Sequence, residues 1–157
     1  MKKNENEMYV TKRSGKRELI SFDKILKRLR SIGRQQNLRN IMYAQITMKV
    51  IDQLHENIKT SQIDELTAEE CAAMTSLHPD YSLLASAIAV SNLHKNTESS
   101  FSKTVDQLFK YVDNKNNSHR LIHEDIYSFI IDNSEALDSI IDYNRDYYFD
   151  IFGFKTL

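Results

Sequence analysis

Four of the five cations in the stretch YVTKRSGKRELISFDKI, residues 9–25, crowd a single turn. Lys12, Arg13, Lys16 and Arg17 flank a Ser14-Gly15 turn, and the chain then passes directly into a helix start at Ser21. Two readings fit these residues. One is a solvated, charged turn. The other is an anion site, because a helix amino end carries unpaired amide donors and a partial positive charge. Lys and Arg beside such an end give phosphate charge-assisted hydrogen bonds. Neither GxxxxGK[ST] nor GxGxxG occurs in the sequence, so a nucleotide bound here is held by side chains and a helix end.

Other reactive residue types read more plainly. Thr60-Ser61 followed by Asp64 is a helix-start pattern, with Ser61 and Asp64 at capping-box spacing. Lys95 falls at the carboxyl end of an apolar helix, where a cation suits the dipole. His55, His78, His94, His119 and His123 show no metal-ligand spacing. His119 and His123 are four apart but straddle a loop-to-helix junction without an evident carboxylate partner, so no metal is expected. Cys71 is the only cysteine. It lies among Ala72, Ala73 and Met74, which reads as core rather than nucleophile, excludes a disulfide framework and fits a reducing compartment.

The elements that must position these residues are read from the rest of the chain. At 157 residues it is one domain, or one with an appendage, and can bury about 70% of its unfolded surface. The net charge of −1 argues against a general nucleic-acid binder. The charge is unevenly spread: nine Lys/Arg face two acids between Lys12 and Arg34, and eleven Asp/Glu face six Lys/Arg from Glu98 onward. A basic head and an acidic tail point to a local anion site. No apolar run reaches the length of a membrane span, and residues 1–7 lack a signal-peptide core, so a soluble, cytoplasmic chain is expected. Three glycines and one proline predict a mostly helical protein.

Residues 1–7 are polar and expected to be disordered. Tyr9-Val10-Thr11 and Glu18-Leu19-Ile20 predict a short hairpin around Ser14-Gly15. Ser21 then caps a helix with Phe22, Ile25, Leu26, Leu29 and Ile32 on one face, ending at Gly33 as its left-handed residue. A second helix carries Tyr43, Ile46, Val50, Ile51 and Leu54. A third runs from Thr60-Ser61 to His78-Pro79. The fourth, opened by Asp80, is apolar all round from Leu83 to Val90 and is predicted to be central and buried. Beyond Ser99-Ser100, Phe101, Val105, Leu108 and Val112 predict another helix. A DNKNNSHR loop, the IYSFII segment and an Asn133-Ser134 cap before EALDSIID come next. Six aromatic residues between Tyr143 and Phe154 require something to pack on.

Residues 10–25, V-T-K-R-S-G-K-R-E-L-I-S-F-D-K-I, resemble the opening of an ATP-cone domain, whose pattern is V-x-K-R-[DN]-G followed by an F-D-K-I helix start. ITMKVI (46–51), TSQIDEL (60–66), HPDYSLLA (78–85) and IAVSNLHK (88–95) resemble the rest of the cone. FSKTVDQLFKYV, DYNRDYYFD and FGFKTL resemble the segment after the cone in the large subunit of class I ribonucleotide reductase. The resemblance covers residues 8–157 and implies a mainly α fold. The cone, a four-helix bundle capped by a small β-hairpin or sheet, would span residues 8–98. The start of the helical amino-terminal domain of the reductase large subunit, truncated, would occupy residues 99–157.

The same resemblance implies an overall-activity site where ATP activates and dATP inhibits, with Mg2+ accompanying the nucleotide. By position, Lys12 and Arg13 would hold phosphates. Glu18, Leu19, Ile20, Ser21, Phe22, Asp23 and Lys24 would wrap the nucleotide, with Lys24 near the phosphates and Val10 packed nearby. Thr60 and Asp64 would meet the base or ribose side, and Lys95 would reach in from the central helix. The sequence departs from the pattern at Ser14, where Asp or Asn is usual, and at Ala87, where many relatives place Arg. The catalytic cysteines of that family have no counterpart beside Cys71, which implies a regulatory piece that is inactive alone and continues past Leu157. Its implied partners are the remainder of the large subunit, a small radical-generating subunit and further copies of itself, with no nucleic acid and no membrane. The alternative is a free-standing, non-catalytic cone, or a degenerate cone acting as a protein-interaction domain. A cone-containing transcriptional repressor would need a Cys-rich zinc ribbon ahead of the cone, which residues 1–7 cannot supply.

Overall fold

The short alternating runs either side of Gly15 form β1 (Tyr9–Thr11) and β2 (Arg17–Leu19), paired antiparallel with Val10 opposite Glu18. Gly15 has φ +78°, a left-handed conformation that glycine adopts most readily, and its amide donates to the Lys12 carbonyl at 2.9 Å. This computed structural model describes residues 8–156; the disorder expected of residues 1–7 concerns residues outside that range, as does Leu157.

A third strand, β3 (Ile58–Lys59), adds parallel to the other side of β1, giving the order β2-β1-β3. Two residues are too few to show alternation, so no sequence pattern announces it. Buried Ile58, opposite Val10, ties it down.

Four helices carry the sheet: α1 (Phe22–Gln35), α2 (Tyr43–Asp52), α3 (Thr60–Ala73) and α4 (Asp80–Asn96). Their apolar stripes meet in one core that includes Leu29, Ile46, Val50, Cys71, Tyr81, Leu84 and Ile88. The described residues are thus mainly helical with a small three-stranded sheet.

Three local expectations are corrected. Ser21 occupies the N-cap position of α1, but its side chain makes no capping hydrogen bond; its carbonyl accepts from Lys24 and Ile25 instead. Gly33 is not a helix terminator: α1 continues to Gln35, and the left-handed residue is Asn37 (φ 56°). Gly33 is small because a Cβ there would lie 2.0 Å from the Tyr43 hydroxyl oxygen. The Ser61/Asp64 capping box does not form either. Lys59 is the N-cap of α3, and its amide donates to Gln62 Oε1 at 3.2 Å, which leaves Asp64 for other partners.

Helix α4 is largely buried as expected, Ala87 included, but Leu83 and Leu93 are about half exposed. At its start, the Asp80 carboxylate accepts from the amides of Arg39 and Asn40 at 3.2 and 3.0 Å and staples the preceding link to the helix. Those backbone donors, Asn40 first, hold the Asp80 carboxyl below its usual range.

The chain divides into two compact units. The second, residues 97–145, contains α5 (Phe101–Phe109), α6 (Glu124–Asp132) and α7 (Ser134–Ile140). Ser100 caps α5, accepting from the Lys103 amide. Asp138 of α7 accepts from the Ser102 amide and from the hydroxyls of Ser100 and Ser102, which lowers its pKa. Tyr127 stacks on Phe109 and donates to Asp106 at 2.8 Å. Val112, expected in the helix, lies past its end and bridges to Ser118, because Asp113 folds the loop beyond it by accepting the Lys115 and Asn117 amides.

The first unit comprises the residues up to Asn96 together with those from Asp146 onward, including the short final helix α8 (Ile151–Thr156). Here the aromatic end finds part of its support. His94 Nε2 lies 2.6 Å from Asp146 Oδ2, and the His94 ring meets Tyr147 edge-on. Ser86 donates to the Phe149 carbonyl, Ile151 is buried, and α8 packs on α4. Tyr148 and Phe152 remain exposed.

Candidate functional site

A cavity of about 300 Å3 opens in the first unit between the hairpin, α1, the start of α3 and the end of α4. Eleven of the thirteen residues singled out from the sequence line it: Val10, Lys12, Arg13, Glu18, Leu19, Ile20, Ser21, Lys24, Thr60, Asp64 and Lys95. Phe22 and Asp23, on the first turn of α1, do not.

The floor is apolar. Ile25, Leu29 and Ile32 come from one face of α1, Ile63 from α3 and Ile88 from α4. Around this floor stand five cations, Lys12, Arg13, Lys24, Arg28 and Lys95, against two carboxylates, Glu18 and Asp64. An apolar surface ringed by an excess of three positive charges suits a ligand with a flat apolar part and several negative charges.

The carboxylates are already engaged. Glu18 pairs with both Lys12 and Lys24. Asp64, buried at 6% exposure, accepts from Arg28 Nε at 2.6 Å and Arg28 Nη2 at 2.9 Å, and Arg13 Nη2 adds a third contact at 3.1 Å. Arg13 is further held from α4: its Nε donates to Asn96 Oδ1 at 2.7 Å, and Nη2 to Asn92 Oδ1. Asn92 in turn donates to the Ser61 carbonyl at 3.3 Å. The hairpin, α1, α3 and α4 are thus tied together around Asp64.

Lys95 enters none of the ion pairs among the described residues. Burial first, and then the nearby Arg28 cation, push its pKa below the usual lysine value, with Arg13 adding to the effect and Asp64 opposing it. Such a lysine gains from any anion placed beside it.

Arg28 escaped the sequence reading, as did Asn92 and Asn96. The signal was present: Arg28 follows Lys24 by one helical turn, as Asn96 follows Asn92, and residues four apart share a helix face.

The remaining reactive groups take no part. Cys71 is fully buried, and burial pushes its thiol up to about 12. His119 and His123 do have carboxylate neighbours, Asp113 at 3.1 Å and Asp125 at 3.4 Å, contrary to expectation. These contacts are local to the loop and helix start, and no group of three His, Cys, Asp or Glu among the described residues could hold a metal. No helix of the described residues is long and apolar enough to cross a membrane.

Comparison with known proteins places a known domain over this part of the chain. The ATP cone domain matches residues 8–96. The chain is 45% identical over 151 residues to the ribonucleoside-diphosphate reductase large subunit of Arabidopsis thaliana, covering 96% of this chain and 18% of that protein. It is 39% identical over 151 residues to the large chain 2 of the same enzyme in Saccharomyces cerevisiae, covering 96% and 17%. It is 43% identical over 151 residues to the variola virus large subunit, covering 96% and 20%. The chain therefore spans about a fifth of these relatives, and the similarity extends well past the end of the cone. Since the domain match takes in more than half of the chain and every residue lining the cavity, this chain belongs to the ATP-cone domain family.

Proposed function

We propose that the cavity is an allosteric site for adenine nucleotides, with ATP activating and dATP inhibiting a ribonucleoside-diphosphate reductase large subunit of which this sequence is the regulatory portion. The observation that carries this reading is the five-to-two excess of cations around an apolar floor, in a chain of the ATP-cone family. Lys12 and Lys24 face a triphosphate, with Arg13, Arg28 and Lys95 completing the charge. The isoleucines and Leu29 take the adenine ring, and Thr60 and Asp64 the base or ribose side. Mg2+ would accompany the bound nucleotide and supply charge neutralisation at its phosphates.

ATP and dATP differ by one hydroxyl, so regulation requires a difference in their affinities for two states of the enzyme. Reversing a 1:99 balance takes about 5.5 kcal/mol, more than one hydroxyl contact supplies, and assembly of several copies multiplies the per-site difference. The proposed partners are accordingly further copies of the large subunit and the small radical-generating subunit, in the cytoplasm. The regulatory unit is proposed as residues 8–98, with 99–157 leading into the helical domain beyond.

A degenerate cone serving as an interaction domain is the second reading, favoured by the exposed Tyr148 and Phe152. Calorimetric titration with ATP and dATP, with GTP as control and light scattering in parallel, separates the two. Binding of the adenine nucleotides is the expected result. A folded chain that binds none of the three would overturn the nucleotide reading in favour of the second.

A further inference from the structure

We infer that Glu18 is a built-in placeholder for phosphate, a carboxylate that occupies the two lysines of the cavity until an incoming polyphosphate displaces it. The inference rests on the nucleotide reading and names how that site is regulated. Its basis is that the cavity's two carboxylates are held in opposite ways.

Asp64 is fixed. It is buried, both of its oxygens are taken by the Arg28 fork, and Arg13 makes a further contact. Planar guanidinium forks on a desolvated carboxylate are rigid and strong. Glu18 is held by two lysines whose side chains are 45% and 67% exposed, point charges on flexible stems. Glu18 itself is 21% exposed, but the lysine ends stand in water, and an ion pair with a solvated partner holds less firmly than a desolvated fork. Glu18 also sits on β2, an edge strand of the sheet, so its side chain can swing away while the backbone register with Val10 stays intact.

Lys12 and Lys24 come from different parts of the chain, the residue just after β1 and the first turn of α1, and the Glu18 carboxylate bridges them. A bridging anion between two cations occupies the place that a phosphate group would take. One carboxylate carries a single charge and a polyphosphate several, so the polyphosphate wins both lysines while a weakly charged anion does not. Glu18 therefore lowers affinity for all anions and discriminates by charge. Asp64, in contrast, stays in place as a permanent wall of the cavity.

The test uses inorganic tripolyphosphate and ATP with the wild-type chain and Glu18→Gln, measured by calorimetry, with circular dichroism to confirm the fold. Tripolyphosphate carries no base or sugar, so it reports on the cations of the cavity alone. Glu18→Gln is expected to bind it about three- to tenfold more tightly, the order of two exposed ion pairs released from competition. Equal or weaker binding overturns the placeholder: equal binding means Glu18 is not displaced, and weaker binding means it arranges the lysines for phosphate. A second measurement on the wild-type chain does not depend on the variant's folding. The side-chain carboxyl resonance of Glu18 should move on adding tripolyphosphate and that of Asp64 should not; a stationary Glu18 resonance in a saturated protein also overturns it. A wild-type chain that binds neither ATP nor tripolyphosphate defeats the nucleotide reading and this inference with it, whereas binding with an unchanged Gln variant defeats this inference alone.

Discussion

Arg28 grips Asp64 with two parallel hydrogen bonds, Nε to Oδ1 at 2.6 Å and Nη2 to Oδ2 at 2.9 Å, and so joins α1 to α3 across 36 residues of sequence. Arg28→Ala leaves the buried carboxylate with Arg13 alone. The expected loss is about 1.5–3 kcal/mol of unfolding free energy, the scale for hydrogen bonds to charged groups, read as a lower urea midpoint with an unchanged slope. Arg28→Lys restores the charge but not the fork and should recover only part of it. Full recovery by lysine would mean that charge alone matters at this position.

Lys12 tests the phosphate end of the cavity. Removing one charge-assisted hydrogen bond to phosphate costs about 1.5–3 kcal/mol, so Lys12→Ala should weaken ATP binding about ten- to a hundredfold by calorimetry. Unchanged affinity would place the nucleotide elsewhere.

Lys95 should give effects of opposite sign on stability and binding. Its pKa is depressed in the folded chain, chiefly by burial and then by Arg28. The unfolded lysine therefore holds its proton to higher pH than the folded one, and stability rises with pH through the window between the depressed value and the ordinary 10.5. Below that window the charge is a cost to the empty site. Lys95 is exposed, so water screens this cost, and Lys95→Met should raise the urea midpoint at neutral pH only slightly and flatten that alkaline rise. The same change should weaken ATP binding about tenfold or more, since a lost charge-assisted bond costs on that scale. In the wild-type chain, ATP binding should take up a proton in the same window, measurable by titration in buffers of different ionisation enthalpy. Lower stability in Lys95→Met would show that the lysine supports the empty fold.

The approach of Tyr43 to α1 makes a sign-reversing test. In an open helix position Gly→Ala stabilises by about 1 kcal/mol. At Gly33 the new Cβ would lie 2.0 Å from the Tyr43 hydroxyl oxygen and 2.8 Å from the ring carbon bearing it. Gly33→Ala is expected to destabilise by about 1–3 kcal/mol, the usual cost of overpacking. In a Tyr43→Ala background the same substitution should become stabilising. A thermal-denaturation double-mutant cycle reads the difference, and a stabilising effect in both backgrounds would remove the close approach as the reason for glycine.

Much of the site was legible because its residues are local in sequence. Lys12 and Arg13 lie on one hairpin, so the spacing around Gly15 already marked them as part of an anion site beside the helix start. The helices were legible for the same reason. The stripe Ile25, Leu29, Ile32 repeats with the helical period, and that period alone determines which face is buried. Resemblance then added Glu18 and Lys24 beside the hairpin and extended the reading to Thr60, Asp64 and Lys95, which no local rule connects to it.

The tertiary structure decided the partnerships that close over long separations. Asp64 read locally as a capping residue, and became the anchor of two arginines only because α1 and the hairpin pack over the start of α3. Arg13 meets Asn96 across 83 residues, and Gly33 owes its size to a tyrosine on the next helix. The two residues of β3 form a strand only because β1 offers a free edge beside buried Ile58. Periodicity in a sequence records which side of an element faces the core. Which charge faces which other charge depends on how the elements pack, and a desolvated carboxylate such as Asp64 takes the donors that the packing brings within reach.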